Sequence, residues 1–242
     1  MIRISIYYLL FQLTSQWGAL QAQNMHTHAG KSAVLNIQHT EDFKITGDTI
    51  SAAWQLARWI TLPKRNASEI KYRTKVKLLY SDKGIYTLFW CEDKVITATL
   101  QEDFTDLFNE DVVEIFFWTD EGVPIYFEYE LSPVNYELAI LVPNMKGKFL
   151  GWIPWHYEGD RRTIHMTKIL KDDEKTLNWV AEFFIPYTLL TPLNNVPPVR
   201  GTRWRTNIYR IDYDKGNGDE WSWQPTTVNF HDIERFGTLV FE

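Results

Sequence analysis

The sequence predicts an all-β protein: an antiparallel β-sandwich, jelly-roll-like, with few short helical turns. Three observations predict it. The apolar segments are short and are separated by Gly, Pro, Asp, Asn and Ser turn residues. Several alternate at the period of a strand, and no segment of 12 or more residues repeats at the helical period. Aromatic residues reach 15%, with 11 Trp, a surplus that suits pleated, half-buried surfaces.

The elements follow in order. Lys75–Tyr80 and Ile85–Cys91 flank the turn Ser81-Asp82-Lys83-Gly84 and read as a hairpin. Ile85–Cys91 is apolar on both faces, as in a central strand covered on both sides. Val112–Trp118, Ile125–Leu131 and Tyr136–Val142 are the next strands, the first two joined through Asp120-Glu121-Gly122. Thr163–Leu170 is a weaker strand, and Asn178–Ile185 alternates up to Pro186. Tyr187–Leu190 reads as a single helical turn, and Asn194–Gly201, with two prolines, as a loop. Arg203–Tyr213 is a long strand, and Thr238–Phe241 closes the chain.

The 242 residues fit one sandwich domain over 34–242, since such domains run to this length. A net charge of −6 with no Lys/Arg cluster argues against nucleic acid and against an anionic membrane surface. No apolar run reaches transmembrane length. The lone Cys91 allows no intrachain disulfide and no Cys-based zinc site. Lying among apolar residues, it reads as a buried inert thiol. Residues 1–22 read as an export signal: Arg3, the apolar Ile4–Leu13, then Ala22 at a cleavage site. An ordinary apolar strand is the alternative. Residues 23–33 read as a linker, and the chain is expected to be secreted, periplasmic or on the cell surface.

Three clusters carry chemistry. Phe108-Asn109-Glu110-Asp111 leads into a strand that Glu114 interrupts. A buried carboxylate is costly without partners, so Glu114 faces a site or pairs with Arg205 or Arg210. Glu128 and Glu130 share one strand face, by alternation with Phe127, Tyr129 and Leu131. With Glu114 they could place several carboxylates together, or form an exposed polar face. Trp221-Ser222-Trp223-Gln224-Pro225 ends where Pro225 stops a strand, which favours an exposed Trp223 ring. His231, near a turn, reads as a hydrogen-bonded structural residue.

These segments resemble the family 9 carbohydrate-binding modules. FNEDVVEIF is similar to their Asp-x-x-Glu loop-strand motif, WVAEFFIP to W-x-x-E-x-x-I-P, and RWRTNIYRID to W-R-x-N-x-x-R. WSWQP and NFHDIERFG are similar to their terminal Trp loop and His…Phe-Gly closure. The matches occur in the family's order over roughly Ile45–Glu242. The resemblance implies a non-catalytic module that clamps a glycan terminus between two aromatic rings. Those rings correspond to Phe108 and Trp223, facing one another across one mouth of the sandwich, with Glu114, Glu128 and Asn207 as polar contacts. Phe108 stands where the family's pattern has Trp, and Glu128 where it has Arg, so the sugar is not named by the resemblance. The family's Asp-Gly…Trp entry appears as Thr46-Gly47…Trp54 without its Asp, so no calcium ion or other cofactor is expected.

Three other readings stand beside it. A glycosidase could use Glu114 and Glu128 as its two carboxyls. A haem-binding redox sandwich would need axial ligands drawn from Met145, Met166, His156 and His165. A structural module would bind nothing. The expected partner is a polysaccharide or oligosaccharide, with no nucleic acid.

Overall fold

A computed structural model describes residues 33–145, 147–155, 158–171 and 177–242. The expected export signal, and the linker up to residue 32, lie outside the described residues. The strands are β1 (Val34–His39), β2 (Ile60–Thr61), β3 (Thr74–Tyr80), β4 (Gly84–Asp93), β5 (Val112–Trp118), β6 (Ile125–Leu131) and β7 (Glu137–Met145). They continue with β8 (Lys148–Phe149), β9 (Ile153–Pro154), β10 (Ile164–Lys171), β11 (Leu177–Pro186), β12 (Arg203–Asp212), β13 (Asp219–Ser222) and β14 (Gly237–Phe241). Among the described residues the helical pieces are 3₁₀ turns of three to five residues. The 187–190 segment is closed by turn hydrogen bonds from Leu189 and Leu190.

Two layers face one another. The first runs β14-β12-β5-β6-β7, with β13 against β12 and β8 and β9 against β7. The second runs β10-β11-β4-β3, with β2 against β3. β1 joins them at one edge: Val34–Ile37 pair with β14, and Gln38 and His39 pair with β3. Both β1 pairings are parallel and the remaining ladders are antiparallel.

The core follows from strand alternation. Val113, Ile115, Phe117, Phe127, Tyr129 and Ile208 of the first layer pack against Val76, Phe89, Cys91, Trp179, Ala181 and Phe183 of the second. Cys91 is free and buried, and burial pushes its thiol up to about 12, as an inert group requires. The double-sided apolar pattern of β4 has the expected cause. Its outward Tyr86 and Leu88 are covered by Ile45 and Trp54 from the segment before β2. Glu182 of β11 pins that segment. Its carboxylate accepts Trp54 Nε1–H at 2.8 Å and the backbone N–H groups of Thr46 and Gly47 at 2.6 and 2.7 Å. Gly47 has φ +72°, and a Cβ there would lie 2.4 Å from Met166 Cγ, so this turn needs glycine.

Arg210 ties the layers together at one end. Its side chain is wholly buried, and Nη2 donates to Asp93 Oδ2 at 3.0 Å and to Asp212 Oδ2 at 2.5 Å. Nη1 donates to the carbonyl of Glu92 and to Thr74 Oγ1 in the opposite layer. The guanidinium lies over Trp221 at 4.9 Å from the ring centroid. Removing one partner of a buried pair strands the other charge, which costs about 3–5 kcal/mol. Arg210→Met is therefore expected to lower the urea midpoint by that energy with an unchanged m-value; a loss below about 1 kcal/mol would contradict the pinning role.

Candidate functional site

The outer face of the first layer carries a second apolar cluster, built on Val112, Phe116, Tyr126, Ile140, Tyr209 and Phe236. Into this face opens a cavity of about 360 Å³. Phe108, Phe149, Trp152 and Phe230 supply its aromatic walls, and Glu114 and Glu128 reach it from β5 and β6. Arg65, Glu220, Asn229 and His231 complete the polar lining.

Each wall is held by its own bonds. Phe108 sits on the 3₁₀ turn Leu107–Asn109, anchored by the buried Leu107. The phenol of Tyr213 donates to the Phe108 carbonyl at 3.0 Å. The neighbouring acids of the motif are structural: Asp111 accepts the N–H groups of Thr97 and Tyr213, and Glu110 accepts Leu100 N–H and the Thr99 hydroxyl. Phe230 stacks on Tyr209 at 4.0 Å and 7°, and the Tyr209 hydroxyl donates to the Phe230 carbonyl at 2.7 Å. His231 stacks on Phe149 at 4.1 Å, and its Nδ1 lies 2.5 Å from the Tyr126 hydroxyl. The hydrogen-bonded reading of His231 therefore stands, and the residue also belongs to the cavity wall.

Glu114 faces the cavity and pairs with neither expected arginine. Arg205 bonds Glu121, and Arg210 projects to the inner face, because Tyr209 is the residue opposite Glu114 in the register. Glu130 lies directly across from Glu114, and Glu128 is opposite Phe116. The three carboxyls are thus neighbours on one face, as the alternation predicts. They are buried, at 2%, 3% and 0% exposure, so the alternative of an exposed polar edge is overturned.

Two of the expected contacts lie outside this cavity. Trp223 does not line the cavity and does not oppose Phe108 there. Its half-buried indole packs against the inter-layer core and lies on Gly237, where an added Cβ would come within 2.1 Å of Cζ3. The missing side chain of Gly237 gives the ring a flat seat, and a local reading from Pro225 could not show that. Asn207 also lies outside the lining. It is fully buried, donates to the Tyr209 hydroxyl and the Gln224 carbonyl, and accepts the N–H groups of Ile208 and Gln224. Its role runs through Tyr209 to the Phe230 wall. Sequence reasoning did not single out Phe149, Trp152, Phe230 or Arg65, which line this cavity. The Gly151-Trp152 pair in a connection between short strands was the available signal for one of them.

Asp93, Asp212 and Asp214 each bring one carboxylate oxygen within 4.8 Å of the others, but Arg210 Nη2 already bonds the first two. The positive charge at that cluster is the guanidinium. The residues considered as haem ligands do not converge. His165 and Met166 are successive on β10, so their side chains leave opposite faces, and His165 is bonded to Asn135. Met145 ends β7 on the other layer, and His156 lies outside the described residues.

Burial holds Glu114, Glu128 and Glu130 well above the ordinary carboxylate range, and the charge of Glu130 on Glu114, of Glu114 on Glu128 and of Glu128 on Glu130 raises them further. Burial pushes His231 down to about 4. The folded chain therefore retains carboxyl protons that the unfolded chain releases above about 4.5, so stability falls as pH rises from that value. The unfolded chain alone protonates His231 between about 6.5 and 4, so stability also falls as pH drops through that window. Glu128→Gln keeps the shape and removes one titration. It is expected to raise Tm by a few degrees at about pH 8 and to flatten the alkaline decline. A parent Tm that climbs steadily from about pH 6 to 9 would contradict the assignment.

Solved structures share this architecture. A Bacteroides uniformis protein assigned to carbohydrate binding superposes with a TM-score of 0.74 at 15% identity, covering 88% of this chain and 100% of its own. A family 9 carbohydrate-binding module of Caldicellulosiruptor kristjanssonii in complex with cellotriose matches with a TM-score of 0.63 at 16% identity, covering 87% of this chain and 94% of its own. The same kind of module from that organism in complex with glucose gives 0.61 at 16% identity, covering 87% and 96%. No curated protein sequence matches the chain. The family model described as carbohydrate family 9 binding domain-like matches residues 45–242, and the chain belongs to that family.

Proposed function

We propose that this chain is a non-catalytic module that seats a glycan terminus in the outer-face cavity, in support of polysaccharide breakdown outside the cell. The single observation that carries the reading is the union of Phe108, Phe149, Trp152 and Phe230 walls with the Glu114 and Glu128 carboxyls in one cavity. Aromatic faces accept the C–H faces of a sugar ring, and a few placed polar groups fix its orientation. The aromatic clamp is drawn from these walls. Phe108 keeps the part expected of it, and the second ring comes from the Phe149 and Trp152 side.

The carboxyl pair supports binding over hydrolysis. A glycosidase needs its two carboxyls pushed apart, one protonated and one ionised. Here burial and mutual repulsion move Glu114 and Glu128 in the same direction. An enzyme assay on a broad polysaccharide panel is expected to show no release of reducing ends; turnover that disappears in Glu114→Gln would replace this reading with the enzyme.

Cello-oligosaccharides and glucose are the natural first probes, because the two Caldicellulosiruptor kristjanssonii modules are in complex with cellotriose and with glucose. Affinity electrophoresis through soluble polysaccharides tests the cavity. Phe108→Ala and Trp152→Ala should each weaken retardation by about tenfold, since loss of a stacking ring removes its area burial as well as 0.5–1.5 kcal/mol of ring-specific contact. Trp223→Ala should lower Tm instead, because its ring packs on the core. Retardation lost only in Trp223→Ala, with Tm unchanged, would move the site elsewhere.

A further inference from the structure

We propose that the sugar seated in this cavity carries a positive charge: the site takes an amino sugar, a glycan residue with a free ammonium group in place of a hydroxyl. The inference rests on the carbohydrate-binding reading and names the substrate class of the same site.

Glu114 and Glu130 are a direct cross-strand pair, and Glu128 is two positions from Glu130 on the same face. Like charges in such positions destabilise a sheet. Other buried acids of this chain are met by resident cations or by N–H donors: Arg210 with Asp93 and Asp212, Lys64 with Asp219, the N–H groups of Thr97 and Tyr213 with Asp111, and those of Thr46, Gly47 and Trp54 with Glu182. The outer-face carboxyls are treated differently. Glu128 and Glu130 share a carboxyl–carboxyl hydrogen bond, and Glu128 Oε2 is buried without a donor from any other described residue. Glu128 is 3% exposed and still lines the cavity.

Among the described residues, the cations of the cavity lining are already engaged. Arg65 is committed to Glu220 and donates its Nε–H to Thr226 Oγ1 at 2.7 Å. His231 Nδ1 stands 3.7 Å from Glu128 Oε2, but that ring is neutral at ordinary pH and engages the Tyr126 hydroxyl. The other titratable groups on this face are the phenols of Tyr126 and Tyr209, whose protons burial retains. A neutral sugar would leave these carboxyls in the protonated form that burial favours, whereas a cation can take the place of one of those protons. An ammonium group brings three donors and a positive charge together, and releases a carboxyl proton as it binds. The aromatic walls select for a ring carrying that group over a bare cation, because a metal ion gains nothing from Phe108, Phe149 and Trp152.

The test is isothermal titration calorimetry on the full chain at neutral pH. Three oligosaccharides of equal length are compared: β-1,4-glucosamine, its fully N-acetylated form, and β-1,4-glucose. The free-amine oligomer is expected to bind at least tenfold more tightly than the other two. Binding should release protons to buffer, seen as a dependence of the measured heat on buffer ionisation enthalpy. Glu128→Gln should erase the preference while near-ultraviolet circular dichroism stays unchanged. If that variant does not fold, the comparison of amine with N-acetyl on the parent chain decides alone. Equal or tighter binding of the neutral oligomers, lost in Phe108→Ala, would overturn the amino-sugar inference and leave the carbohydrate reading standing. Absence of binding by all three would count against both. Calcium chloride alone, if it bound one ion per chain and displaced the amine, would make the carboxyls a metal site and also overturn the inference.

Discussion

The structure depends on one buried cation. Arg210 belongs to β12 in one layer, and its guanidinium bonds β3 and β4 in the other. Desolvating a guanidinium is costly, and the cost is met by two carboxylates, a carbonyl and a hydroxyl placed around its planar fork. The fork fixes the separation and register of the two layers at that end. Strand parity does the rest. With Arg210 directed inward, Tyr209 and Ile211 face outward, where both join the outer-face cluster. The same end carries Asp111 and Tyr213, which together hold the Phe108 turn. A structural ion network and the outer-face cavity therefore share one set of strands without sharing side chains.

The two outer faces are finished differently. On the second layer, residues 43–57 lie across the sheet and are locked by Glu182, whose oxygens are all engaged by donors. On the first layer, Glu128 Oε2 has no such donor. Glu182 and Glu128 are both buried, but only Glu128 leaves an oxygen, Oε2, without an N–H or O–H donor from the described residues around it. The second layer also presents Trp59 and Trp90 interleaved with Lys75, whose Nζ lies 5.1 and 4.2 Å from their ring centroids. There the aromatic faces are already occupied by cations of the chain.

The strands were legible where turn chemistry bounds them on both sides. β5 and β6 fall on the residues the alternation indicates, because Asp120-Glu121-Gly122 separates them and Trp118 and Leu131 end their runs. β1 was not legible. Val34–His39 gains its partners in parallel from β14 and β3, more than 40 residues or most of the chain away, and its own pattern is short and polar in part. The face shared by Glu114, Glu128 and Glu130 followed from parity alone. Which face it was, and whether arginine shared it, required the β5–β12 register. Trp223 shows the limit of local rules. Pro225 correctly ends the strand, but the ring's resting place is set by Gly237, fourteen residues further on. Phe149 and Trp152 follow no alternation, because they sit on the short β8 and its following loop.

The central claim is that the partially satisfied face of the first layer, and not the Trp59–Trp90 face of the second, is where a glycan sits. A crystal structure of the full chain soaked with a short oligosaccharide tests it most directly. The account predicts sugar density in contact with Phe108 and with the Phe149 or Trp152 ring, with an oxygen or nitrogen of the sugar bonded to Glu114 or Glu128. Density stacked on Trp59 or Trp90, with the outer-face cavity holding water alone, would contradict it.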